Sequence, residues 1–173
     1  MEEEPDHVAA ILGAWRAERP GLDVSPVAIF GRITRIERYQ AAALREVWRR
    51  HHVDSGEYDV LAALSRSGPD YQLTPTELYR SVLVTSATMT ERLDRLERRK
   101  LIRRRPATRD RRSVLVELTA RGRAIFDKAH PDLLATEAAM LESLSRHDRA
   151  ALAGLLAKLA AGLEQTRDNS ATA

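Results

Sequence analysis

The sequence predicts a mainly α-helical fold broken by one short β-hairpin, with a helix–turn–helix directly before the hairpin and longer helices at both ends. Apolar residues recur every three or four positions through most of the 173 residues. A strong helix-start signature, Thr74-Pro75-Thr76-Glu77, is followed by a second start at Thr85. Two β-prone runs, Leu101 to Arg105 and Val114 to Leu118, flank a polar, Arg-rich loop containing Pro106.

Taken in order, Val8, Ile11, Leu12 and Trp15 line one face of a short helix that ends before Pro20-Gly21. Ser25-Pro26 reads as cap and first residue of a long helix whose apolar face runs through Ile29, Ile33, Ile36, Ala43, Val47 and His51 to about Val53. Gly56 to Arg66 is a third helix, stopped by Gly68-Pro69. Thr74 caps a short helix through Arg80, with Pro75 in its first turn and Glu77 reaching back to the cap amide. After the turn at Ser81 to Val84, Thr85 caps a helix with Met89, Leu93 and Leu96 on its inner stripe, and the two β runs follow as a hairpin wing. Thr119 opens a helix that Pro131 should bend, with Ile125, Leu133, Leu134, Met140, Leu141 and Leu144 available for packing. Ser145 caps a last helix carrying Leu152, Leu155, Leu156, Leu159 and Leu163, and the polar stretch from Arg167 should fray.

The net charge of +3 conceals an uneven distribution. Between Arg80 and Arg112 twelve Lys/Arg face only Glu91, Asp94, Glu97 and Asp110, while the remainder of the chain is acidic on balance. Such a concentrated basic segment is the electrostatic footprint of nucleic-acid binding, because phosphate neutralisation supplies most sequence-independent affinity. All but three of the 28 cations are Arg, whose planar fork suits phosphate or guanine. Codon bias accounts for abundant Arg but not for its clustering.

With Met89 at the centre of the inner stripe, Ala87, Glu91, Asp94 and Arg98 fall on the outside and Thr88 and Arg95 on an outer flank. Small and polar residues thus occupy the end of the helix that would enter a major groove. The candidate reading residues are Thr85, Ser86, Thr88, Thr90 and Arg95. At the hairpin tip, Arg109, Arg111 and Arg112 are placed to reach a narrow minor groove, with Asp110 orienting a neighbouring Arg.

These phrases together, Leu73-Thr74-Pro75-Thr76-Glu77-Leu78, Thr85-Ser86-Ala87-Thr88-Met89-Thr90, Arg92-Leu93-Asp94-Arg95-Leu96-Glu97, Leu101-Ile102-Arg103-Arg104, Asp110-Arg111-Arg112 and Leu118-Thr119-Ala120-Arg121-Gly122, resemble the MarR family of bacterial regulators over about Val24 to Leu163. The resemblance implies a winged helix-turn-helix in 55–118, dimerisation helices in 24–53 and 119–166, and a homodimer on palindromic operator DNA that a small molecule releases. Around it lie an additional N-terminal helix in 1–19 and a flexible tail in 167–173. Trp15, the phrase Asp23-Val24-Ser25-Pro26 and Glu57-Tyr58-Asp59-Val60-Leu61 are similar to a subgroup answering to urate or to aconitate and citrate. That similarity implies an anionic ligand held by Trp15, Asp59 and Arg92, with Arg104 at the wing as a further charged position. Thr85-Ser86-Ala87-Thr88 departs from the Ser-Ser-Gly-Ala common in relatives. From the residues alone, Arg92 flanks the buried stripe and calls for an anionic partner, whereas Asp59 falls opposite Leu61 and reads as solvated surface.

Several classes are disfavoured. No Gly-rich phosphate loop or HExxH motif is present, and His7, His51, His52, His130 and His147 lack metal-ligand spacing, so neither an enzyme, a metal site nor a cofactor is expected. No apolar run approaches the ~20 residues that span a bilayer, and the acidic start Met1-Glu2-Glu3-Glu4-Pro5 is unlike a secretion signal, so a cytoplasmic chain is expected. Without cysteine there is no thiol chemistry. A helical scaffold whose basic patch binds an acidic protein is the alternative, and an RNA binder is disfavoured because the basic window lacks aromatic stacking platforms.

Overall fold

Ten elements follow one another in a computed structural model that describes residues 6–82, 89–106 and 114–171. They are α1 (His7–Glu18), α2 (Ser25–His51), α3 (Ser55–Ser65), β1 (Gln72–Leu73), α4 (Pro75–Ser81), α5 (Met89–Arg98), β2 (Ile102–Pro106), β3 (Val114–Leu118), α6 (Ala120–Met140) and α7 (Arg146–Ala171). The chain divides into two units, one ending at Leu133 and one running from Leu134 to Ala173.

In the first unit the hairpin is antiparallel, with Arg104 opposite Val116 and Ile102 opposite Leu118. A third strand, β1, pairs with β3 at Gln72–Glu117 and Leu73–Val116, giving the order β1-β3-β2. That strand is absent from the expectation of a two-stranded wing; at two residues it is too short to show an alternating pattern. Against this sheet α3, α4 and α5 bury Val60, Leu61, Leu64, Leu78, Leu96, Leu101, Ile102 and Val116 almost completely. Each such aliphatic side chain contributes about 1.5–3 kcal/mol by leaving water, so this cluster fixes the relative placement of α3, α4, α5 and the hairpin. Tyr58, Phe126 and His130 stack along its edge with Trp48 tilted against Tyr58, and the Tyr58 hydroxyl lies 2.6 Å from His130 Nδ1.

The helix starts obey local chemistry. Thr74 and Glu77 form the reciprocal capping box expected at α4. A second box, Asp54 with Glu57, opens α3 at Ser55, one residue before the expected Gly56. In the second unit, Ser145 and Asp148 exchange the same pair of contacts ahead of α7. Helix α7 continues to Ala171, into the stretch expected to fray.

Two apolar surfaces remain exposed in the single chain. On α2, Leu44 and Val47 are buried, but Ile29, Phe30 and Ile36 are about half exposed. On α7, Leu152, Leu155, Leu156 and Leu163 are exposed. Separately, α1 packs on α2 through Val8, Leu12 and Val24, tied by an Asp6–Arg32 ion pair at 2.7 Å.

Candidate nucleic-acid interface

Helix α5 follows α4 and precedes the hairpin, and its charges are sorted onto two flanks. At about 100° per residue, Arg92, Arg95 and Arg99 share one side of the buried Met89–Leu93–Leu96 stripe, and Thr90, Asp94 and Glu97 share the other. The basic flank faces the start of α3. Arg95 Nη2 lies 3.1 Å from Asp54 and its Nε 3.5 Å from Glu57, while Arg99 Nη1 lies 2.8 Å from Glu57 and its Nη2 donates to the His52 carbonyl. The acidic flank faces the wing. Arg104 pairs with Asp94 at 2.7 Å and Glu97 at 2.6 Å, and its backbone N–H donates to Glu97 at 2.9 Å. Between the flanks Glu91 and Arg98 are exposed, and Thr90 is exposed on the wing side.

This geometry corrects the expected position of Arg95. Its guanidinium lies on the α3 side rather than the outer flank, because a long side chain lets the acidic α3 start draw the charge inward. Thr90 lies exposed on α5 as expected. Thr85, Ser86 and Thr88, expected at the start of the reading helix, and Arg109, Arg111 and Arg112, expected at the wing tip, lie outside the described residues. Lower on the hairpin, Glu117 pairs with Arg103 and, at 3.0 Å, with Arg105, and the Arg103 hydrogen bond holds its carboxyl below the usual glutamate range despite burial.

The four residues attributed to an anion site separate into three places. Arg92 lies flat on Gly56: a Cβ there would stand 2.1 Å from the Arg92 Cζ. Its Nε and Nη1 are buried and have no hydrogen-bond partner among the described residues. Asp59 is half-buried rather than solvated; burial raises its carboxyl above the usual aspartate range, while the nearby Arg92 charge pulls the other way. No contact ion pair joins Asp59 and Arg92 among the described residues, so Asp59 only partly offsets the cation. Arg104 is spent on Asp94 and Glu97 at the opposite flank. Trp15 is 43% exposed on α1, the helix that packs on α2.

Glu57 was not among the sequence candidates, although it is 4% exposed and holds two arginines. Its signal was present: Asp54 and Glu57 have capping-box spacing, and Arg92, Arg95 and Arg99 have one-face spacing. Among the described residues no cluster of His, Asp or Glu could hold a metal ion, and no helix is long and apolar enough to cross a membrane.

The sequence profile of the MarR family matches residues 53–113. The chain is 33% identical over 160 residues to the HTH-type transcriptional regulator PecS of Dickeya dadantii, spanning 92% of this chain and 96% of that protein. It is 32% identical over 127 residues to the HTH-type transcriptional repressor NicR of Pseudomonas putida, spanning 67% and 78%. Among solved structures, a MarR variant from E. coli complexed with operator DNA aligns with a TM-score of 0.67 at 26% identity, covering 79% of this chain and 95% of that one.

Proposed function

The chain belongs to the MarR family of transcriptional regulators, and on that premise we propose that it is a homodimeric repressor released from pseudo-palindromic operator DNA when a small anionic metabolite binds at Arg92. MarR-family proteins are transcriptional regulators, not enzymes. In this reading Thr85, Ser86, Thr88 and Thr90 meet base edges, and Arg109, Arg111 and Arg112 meet phosphates or the minor groove. Support comes from the basic window, the exposed Thr90, and the likeness to a MarR protein complexed with operator DNA. The exposed apolar faces of α2 and α7 supply what a partner copy would cover.

The observation that supports the ligand half is Arg92, a half-buried side chain whose Nε and Nη1 are buried without a hydrogen-bond partner among the described residues, on the helix that this reading assigns to DNA. Leaving a buried donor nitrogen unpaired is unfavourable by about 1–3 kcal/mol. A planar or polycarboxylate anion, such as urate, citrate or aconitate, would satisfy it and supplant the partial compensation by Asp59. Trp15 enters this reading through the subgroup resemblance. Arg104 does not, because its charge is already taken up by Asp94 and Glu97.

The test is selection of bound duplexes from a random pool, followed by binding at increasing salt. The reading expects recovery of an inverted-repeat motif and an affinity falling linearly in log–log form with salt. Binding that is salt-insensitive, or equal on single strands, contradicts it. Arg112→Ala should weaken most duplexes alike, while Ser86→Ala should alter base preference.

A further inference from the structure

Glu57 is the buried charged residue of the core among the described residues. A capping box needs only Glu or Gln at this position, and the cap contact itself is modest: Asp54 N–H to Glu57 Oε2 at 3.2 Å. The negative charge therefore serves something other than the cap. What it meets is Arg99 at 2.8 Å and Arg95 at 3.5 Å, with Asp54 sharing Arg95 at 3.1 Å. Arg95 sits on the helix assigned to DNA reading and Arg99 directly follows its last residue. Unrestrained, each would add attraction to any phosphate backbone, whatever its sequence.

We propose that Glu57 is a specificity-determining positioning residue, which withdraws Arg95 and Arg99 from the DNA backbone and sets α5 against α3. Specificity is the ratio of operator affinity to affinity for unrelated duplex. Holding two cations inward lowers the sequence-independent part, and fixing α5 preserves the sequence-dependent part. The clamp is anchored at both ends: Arg99 also holds the carbonyl of His52, a left-handed residue with φ 53° that ends α2. The inference rests on α5 being the DNA-reading helix.

The experiment measures, for the full-length chain, binding to the selected operator and to an unrelated duplex of equal length over a salt series. Glu57→Gln keeps the cap and the volume but removes the charge. It should bind the unrelated duplex several-fold tighter, steepen the salt slope by about one to two units, at ~0.9 per phosphate contact, and reduce the operator-to-unrelated ratio about tenfold. Adding Arg95→Gln should reverse much of that gain. If Glu57→Gln fails to fold, by circular dichroism and thermal unfolding, Arg95→Gln in the parent decides. A slope unchanged on unrelated duplex is expected, and a slope smaller by about one unit, showing Arg95 already on phosphate, overturns the inference. It is likewise overturned if a folded Glu57→Gln leaves the ratio intact, whether both affinities hold or fall together. A parent that binds no duplex overturns the DNA-reading role itself, a result distinct from a discriminating parent with an equally discriminating variant.

Discussion

The Arg92 guanidinium rests on Gly56, so close that a methyl group at position 56 would stand 2.1 Å from its Cζ. The obstacle is the far end of a flexible side chain, which can swing away, and Ala favours a helix over Gly by about 1 kcal/mol. Gly56→Ala should therefore leave thermal stability nearly unchanged while displacing Arg92 and weakening anion-triggered release of DNA at least tenfold. A melting curve and a release titration check both halves; normal release by a well-folded variant would detach the site from its seat on Gly56.

Gly122 gives the opposite expectation for the same substitution. Its Cβ would lie 2.1 Å from the Leu101 carbonyl oxygen, and that oxygen is fixed by the Thr119 amide at 3.1 Å and hydroxyl at 3.0 Å. Backbone cannot swing aside, so Gly122→Ala should destabilise by roughly 1–3 kcal/mol, the range of overpacked sites, and lower the melting temperature by several degrees. An unchanged melting temperature would mean that the junction between hairpin and α6 yields.

Asp59 links stability to pH. Burial lifts its folded carboxyl above the usual aspartate range, outweighing the pull of Arg92. The folded state thus holds the proton more tightly than the unfolded state, so the ionised group opposes folding above the folded pKa. That opposition fades as pH falls through the raised value toward the unfolded one. Asp59→Asn should melt above the parent at neutral pH, with the difference shrinking on acidification. A difference that grows on acidification would show Asp59 to be stabilised as a carboxylate.

Arg104 neutralises two carboxylates on the α5 flank next to the wing. Its removal would leave Asp94 and Glu97 uncompensated beside incoming phosphate and would loosen β2 from α5. Arg104→Ala should weaken operator and unrelated duplex alike, by about tenfold, a cost of ~1.4 kcal/mol. Loss of anion response with DNA affinity intact would instead place Arg104 in the ligand site.

The reader was legible in the sequence wherever one residue's chemistry determines its own neighbourhood. Thr74 and Glu77 announced α4, and Leu101 to Arg105 with Val114 to Leu118 announced the hairpin, because caps and β-prone runs are local signals. What escaped were relations between elements. Asp59 reads as solvated from its own helix, and only the subgroup resemblance joins it to Arg92, whose charge acts on it in the fold. Helix spacing points Arg95 outward, but Asp54 and Glu57 of another element draw it to the α3 side, and Arg104 meets Asp94 and Glu97, partners that its own strand does not reveal. The apolar stripe of α2 is evident from spacing alone, whereas what would cover Ile29 and Ile36, exposed in a single chain, is not.

The most direct measurement is release of the selected operator by urate, xanthine, citrate and aconitate, compared between the parent and Arg92→Ala. A ligand shifts the equilibrium only as far as its preference for the DNA-incompetent state, and a tenfold release requires about 1.4 kcal/mol of such preference. The account predicts that at least one of these anions releases the parent and that Arg92→Ala keeps measurable operator binding without responding to it. Release of Arg92→Ala at the same anion concentration as the parent would contradict it.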